Sequence, residues 1–176
     1  MIRILFYVSC ENCEKPLHFP DSIVRKGSYF YEIDKKFRDL QEGTDFLRFI
    51  DHPFEICIFV NQERISNEGE IRAAIETGLS LIVEEKYWLA HEIFEGLWKH
   101  NRSNAGKFFH AVTLFCVSMV HSQMNHRSNA VRIFDIAKSE MNQFLGDTSK
   151  EWSFSYPIDS RIIEQIEDSA LSIIGN

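Results

Sequence analysis

The sequence predicts a mainly α-helical protein, an antiparallel bundle of about five helices preceded by a small α+β appendage at the N-terminus. Three observations predict it. From about residue 66 the apolar residues recur with helical spacing. Capping residues punctuate those segments. The residues before them carry short runs rich in Ile, Val, Phe and Tyr, the composition of strands. Two regions follow, an α+β region over 1–65 and a helical domain over 66–176.

In the first region, Ile2–Val8 and Phe54–Val60 read as buried strands and Ser28–Ile33 as a third. Lys35–Ile50 reads as a helix, with apolar Phe37, Leu40, Phe46, Leu47 and Ile50. Pro16 and Pro20 interrupt the chain between the first two strands. In the second region, Asn67 and Glu70 have the spacing of a capping box, and Ile71, Ala74, Ile75, Leu79 and Ile82 follow on one helical face. A second helix spans Tyr87–Trp98 and a third runs from about Ala105 to Met124. A fourth runs from Ser128, as N-cap, to Leu145, with Gly146 closing it. A fifth starts near Asp159 after Pro157 and buries Ile162, Ile163, Ile166, Ala170 and Ile173. The short connections make successive helices antiparallel neighbours. No internal repeat is good enough to define a solenoid, though paired helices keep that possibility open.

Composition narrows the function. With 44% hydrophobic residues, a chain of 176 can bury a genuine core. Its fifteen Phe, five Tyr and three Trp suit thick helix packing or an aromatic-lined pocket. A net charge of −7 without a Lys/Arg cluster argues against nucleic acid as the main partner. The start, Met1–Val8, lacks the apolar run and cleavage site of a signal peptide. The most apolar stretch, Phe108–Val120, is shorter than the roughly 20 residues a membrane span needs. No membrane association and a cytoplasmic location are therefore expected.

The four cysteines, Cys10, Cys13, Cys57 and Cys116, are too scattered for a disulfide framework. Cys10-Glu11-Asn12-Cys13 follows a strand, as a redox motif or half a zinc site would. Pro16 and Pro20 leave little room for the helix a redox motif needs, and a full zinc site would need His18 or Cys57. Two ordinary strand-end cysteines is the simpler reading, and Cys116 reads as a core residue.

The segment Tyr87–Trp98 carries the strongest chemical signal. On a helix, Tyr87, Leu89, Ala90, Ile93, Phe94, Leu97 and Trp98 cover a wide apolar arc. His91 and Glu95 sit together at its edge one turn apart, with Glu92 further round. Such a pair can bind a metal, or Glu95 can orient His91 as a general base. The structural alternative is a hydrogen-bonded pair that fixes helix packing. The second His of a zincin's H-E-x-x-H is missing. Trp88 falls off the main arc, toward another helix, a partner or a ligand.

The run Glu85-Lys86-Tyr87-Trp88-Leu89-Ala90-His91-Glu92-Ile93-Phe94-Glu95-Gly96-Leu97-Trp98 resembles the signature of the domain of unknown function 309 family. That signature has an aromatic pair, Ala-His-Glu, two apolar residues, Glu and a closing Trp; Tyr87, Trp88, Ala90, His91, Glu92, Glu95 and Trp98 match it. The next helix ends on His121, where the family has Tyr-His. Later, Asn125 and Ala130 stand near the family's Gly-Asn and Gly-Ala positions, and Asn tolerates the positive φ such a turn needs. His126, Asn129 and His110 depart from the pattern, so the chain resembles a divergent member over roughly Ser66–Leu145. The resemblance implies an all-helical bundle and the label of predicted metal-dependent hydrolase without an established substrate.

His110 and His121 lie on nearly the same side of the third helix but about 16 Å apart at ~1.5 Å per residue, so they cannot share one metal. An antiparallel hairpin turning near Asn101–Arg102 sets His110 level with Ile93, close to His91, Glu92 and Glu95. The family pattern points to His121 instead. Two readings result. The helical domain is a structural or protein-interaction module, with a homodimer as one expected assembly. Alternatively it is a metal-dependent hydrolase between the second and third bundle helices. There Glu92 and Glu95 are the catalytic carboxylates, and His91, Glu95, His110 and His121 supply ligands for a divalent ion such as zinc.

Overall fold

The computed structural model describes residues 1–10, 18–50, 53–59, 67–101 and 104–146. The chain divides into two compact units, 1–63 and 64–176.

The first unit is built on four antiparallel strands, β1 (Ile2–Ser9), β2 (Ser22–Lys26), β3 (Phe30–Phe37) and β4 (Pro53–Phe59), in the order β2-β3-β1-β4. One face is apolar, with Ile4, Phe6, Val8, Ile33 and Phe37 buried in a cluster with Ile50. A short helix, α1 (Leu40–Phe46), and a 3-10 turn at Leu47–Phe49 supply Phe46 and Leu47 to that cluster. The helix expected over Lys35–Ile50 is thus cut short. Lys35, Lys36 and Phe37 belong to β3, and the helix begins only where the Asp39 side chain caps it by accepting from the Glu42 amide. Strand β2 was not expected at all.

The opposite face of the sheet carries charge in its interior. Arg25 on β2 pairs with Glu32 and, at 2.8 Å, with Asp34; Arg3 reaches Asp34 at 2.5 and 2.8 Å; and Tyr7 donates to Glu32 at 2.8 Å. Each charge has a complementary one on a neighbouring strand, directly opposite for Arg25 and Glu32 and diagonal for Asp34 with Arg3 and Arg25, which is what makes burial tolerable. Burial pushes the Glu32 carboxyl up, with Arg25 and Tyr7 opposing it. Burial also works against charge on Asp34, but hydrogen bonds from Arg3 and Arg25 outweigh it and hold that carboxyl down. Burial and the neighbouring Glu32 push the Tyr7 phenol up.

The second unit contains α2 (Glu68–Val83), α3 (Tyr87–His100), α4 (Asn104–Gln123) and α5 (Arg127–Gly146). Successive helices pack on one another, and α4 meets both α3 and α5 over long stretches. A continuous core runs through them, including Ile75, Phe94, Phe109, Phe115, Met119 and Phe134. The Asn67 capping box is formed, each side chain reaching the other residue's amide. Ser128 does not cap α5. It lies inside the first turn, and the His126 carbonyl accepts from the Ala130 amide at 3.0 Å. The fifth helix expected near Asp159, like Cys13, lies outside the described residues.

The two helical hairpins repeat one another. Glu85 and Asn125, forty residues apart (85 to 125), both adopt left-handed backbone, with φ of 58° and 59°. Around each, the same two bonds close the preceding helix: Glu85 N–H to the Ile82 carbonyl and Lys86 N–H to Leu81 match Asn125 to Ser122 and His126 to His121. This is a Schellman turn used twice. The helix that follows carries Ala-x-x-Ile-Phe-acidic in both copies, as Ala90, Ile93, Phe94 and Glu95 and as Ala130, Ile133, Phe134 and Asp135. Gly78 and Ser118 fill the equivalent crossing point. A Cβ at Gly78 would lie 2.6 Å from the Phe94 ring, and the buried Ser118 hydroxyl donates to the Ala130 carbonyl at 2.8 Å. A duplicated hairpin, not evident from the sequence alone, therefore underlies the four helices.

Gly78→Val should overpack the Phe94 contact and destabilise the helical unit by about 1–3 kcal/mol. Glu85→Gly should stabilise it by roughly 1 kcal/mol by relieving a side chain from left-handed backbone. Urea unfolding followed by far-ultraviolet circular dichroism measures both, and the opposite signs check the two halves of the turn-and-crossing account.

Candidate functional site

The residues singled out in the sequence lie on α3 and α4, and their surroundings follow from how those helices meet. The Trp98 ring packs on His110, with centroids 4.2 Å apart. At the other end, the Gln123 side chain donates to the Glu85 carbonyl at 2.8 Å. Helices α3 and α4 are therefore antiparallel with His110 near Trp98, His121 near the level of Tyr87, and His91 near that of Val117. His110 therefore lies nearer the connection than the expected register, which set it level with Ile93.

Each candidate has a different neighbourhood. His91 stacks on Trp88, with centroids 4.9 Å apart, and its Nδ1 lies 3.9 Å from a Glu92 carboxylate oxygen. Glu95 pairs with Lys99 at 2.9 Å, one turn on, rather than with His91. His110 is held by Glu140 of α5, with Nδ1 2.6 Å from the carboxylate. His121 lies 5.7 Å, ring to ring, from His126. Among the described residues, no group of three or more His, Cys, Asp or Glu side chains is placed to hold a metal ion. The donor set expected for zinc therefore does not assemble from these residues.

The remaining signature positions serve the hairpin. Tyr87, Ala90, Phe94 and Leu97 are buried in the core, and Ala130, also buried, is the counterpart of Ala90 in the second copy. Trp98 stays 37% exposed at the edge of the arc. Asn125 supplies the left-handed turn residue.

Residues 75–133 match the family model described as Domain of unknown function (DUF309). The N-terminal region lies outside that match. No curated protein and no solved structure matches the chain. The matched segment spans α3 and α4 whole, with the last turns of α2 and about the first two turns of α5. It thus contains both Schellman turns and the whole first Ala-x-x-Ile-Phe stretch, and it ends at Ile133, one residue before Phe134 of the second.

Glu140 and Arg132 are the site residues that sequence reasoning missed. Glu140 lies thirty residues from its partner His110 (110 to 140), and only the 3D packing of α5 on α4 reveals the pair. Among the cysteines, Cys10 is disulfide-bonded rather than an ordinary strand-end thiol, while Cys57 and Cys116 are thiols, that of Cys57 donating to Glu55. Burial pushes the Cys116 thiol up, consistent with a packing role. No helix among the described residues is long and apolar enough to cross a membrane.

Desolvation, with the nearby charges of His126 and Arg132, holds His121 below the ordinary histidine value of 6.5. A lowered histidine pKa means that the unfolded chain takes up the proton first. Its contribution to stability is present above about pH 6.5 and is lost as the pH falls through the folded-state value. The urea midpoint of wild type should therefore fall more between pH 7 and pH 5 than that of His121→Gln, and equal falls would remove His121 from this role.

Proposed function

We propose that the helical unit is a noncatalytic protein-interaction module whose Ala-His-Glu signature organises helix packing. The observation that carries this reading is the dispersal of the expected ligands. His110 and His121 sit at opposite ends of α4, engaged by Glu140 and Trp98 at one end and near His126 at the other. Helical hairpins in tandem are an architecture that builds binding surfaces from stacked repeats. A second copy of the chain is one candidate partner, and the cytoplasm the proposed setting.

The second reading, a metal-dependent hydrolase between α3 and α4, is favoured by one contact, the approach of His91 to Glu92 at 3.9 Å. Those two side chains could offer a divalent ion two donors, and a hydrolytic site needs a third. The fold-level label alone adds no reaction.

A photo-crosslinking amino acid placed at Ile136, an exposed apolar side chain of α5, tests the module reading against the same probe at exposed Thr77 of α2. The module reading expects a discrete adduct from position 136 and none from position 77 in cells expressing the full chain. Equal, diffuse labelling at both positions would contradict it.

A further inference from the structure

Helix α4 is buried almost all round, but one line of its side chains, His110, Leu114, Val117 and His121, stays half-buried. The spacing places all four on one face of the helix. Helix α5 borders this line with Arg132, Ile136 and Glu140, again one face at successive turns. Two contacts fix the alignment. Glu140 holds His110 at 2.6 Å, and Arg132 is close enough to His121 for its charge to act on the ring. On the other side, Trp98 of α3 packs on His110.

The strip therefore has unlike ends. At the His110 end stands a carboxylate, Glu140, with about a third of its side chain exposed (30%). At the His121 end stands exposed Arg132. Between them lie the aliphatic side chains of Leu114 and Val117, with Ile136 40% exposed beside them. The distance from His110 to His121 is about 16 Å at ~1.5 Å rise per residue. An extended chain advancing roughly 3.3 Å per residue covers it with about five residues.

We propose that this strip binds a short extended peptide segment of mixed charge, with a basic residue beside Glu140, an acidic residue beside Arg132, and apolar side chains over Leu114, Val117 and Ile136. Charge complementarity selects this occupant. A segment acidic at both ends would meet Glu140, one basic at both ends would meet Arg132, and a polar centre would leave the aliphatic floor uncovered. The proposal rests on the interaction-module reading and names the chemistry of its partner.

The test uses the full chain and three five-residue probes, acetylated and amidated, carrying a fluorophore and the core Leu-Val-Leu. One has Glu and Lys at its ends, one Glu at both, and one Lys at both. Fluorescence anisotropy should rank the mixed peptide tightest for wild type. Arg132→Glu should shift the preference to the two-Lys peptide and Glu140→Lys to the two-Glu peptide, by about three- to five-fold each, as exposed ion pairs allow. Unchanged melting temperatures establish that both variants remain folded. The same ranking in all three proteins, or no binding at millimolar peptide, would overturn the proposal. Sedimentation of wild type and Ile136→Asp tells that failure from a failure of the module reading. A self-associating wild type dissociated by Ile136→Asp would make the strip an interface between copies of the chain, ending the peptide assignment and keeping the module. Failed peptides together with monomers in both proteins would count against the two alike.

Discussion

The helical unit depends on one close crossing used twice. Where α2 meets α3, Gly78 lets the Phe94 ring lie against the helix backbone. At the equivalent point between α4 and α5, Ser118 takes that place and ties its hydroxyl to the Ala130 carbonyl. A small residue at the crossing brings the helices near enough for Phe94 and Phe134 to enter the core. The crossing in turn needs the chain to reverse within a few residues, which the left-handed Glu85 and Asn125 provide. Turn, crossing and ring insertion are thus mutually dependent. Stacking the second hairpin on the first then aligns α3, α4 and α5 so that His110 falls between Trp98 and Glu140.

Seen this way, the Ala-His-Glu signature mixes two kinds of residue. Ala90, Ile93 and Phe94 recur in the second hairpin as Ala130, Ile133 and Phe134, so they belong to the framework. Trp88, His91 and Trp98 do not recur; their counterparts are Ser128, Val131 and Lys138. The second copy acts as an internal control for the first. What the framework does not need is where specialised chemistry has to be sought, and in the first hairpin those residues lie on the flank of α3, Trp98 facing α4.

Much of the helical unit was legible from sequence because its apolar period and capping box are local signals. Helix α3 was placed at its true start, and the Asn67–Glu70 cap formed as its spacing implied. The duplication was harder to see. It resides in backbone hydrogen bonds and φ angles around Glu85 and Asn125, two residues with unlike side chains, and in sparse identities between Ala90–Glu95 and Ala130–Asp135. Strand β3 runs past the expected Ser28–Ile33 to Phe37, into residues whose apolar spacing through Phe37, Leu40, Phe46, Leu47 and Ile50 reads as helix. Arg3 and Arg25, from two other strands, accompany the burial of its Glu32 and Asp34, a pairing that no local signal shows. The expected pairing of His91 with Glu95 used helix spacing alone, whereas Lys99 claims Glu95 from the same helix and Glu140 claims His110 from α5.

Under the proposed function, the signature segment organises packing and an interaction face instead of a metal centre. Metal content tests it most directly, by mass spectrometry on untagged wild type and His91→Ala after incubation with zinc, manganese and iron salts and removal of excess ion. The account predicts far less than one equivalent of any ion in both proteins. Near-stoichiometric metal in wild type that disappears in His91→Ala would contradict it.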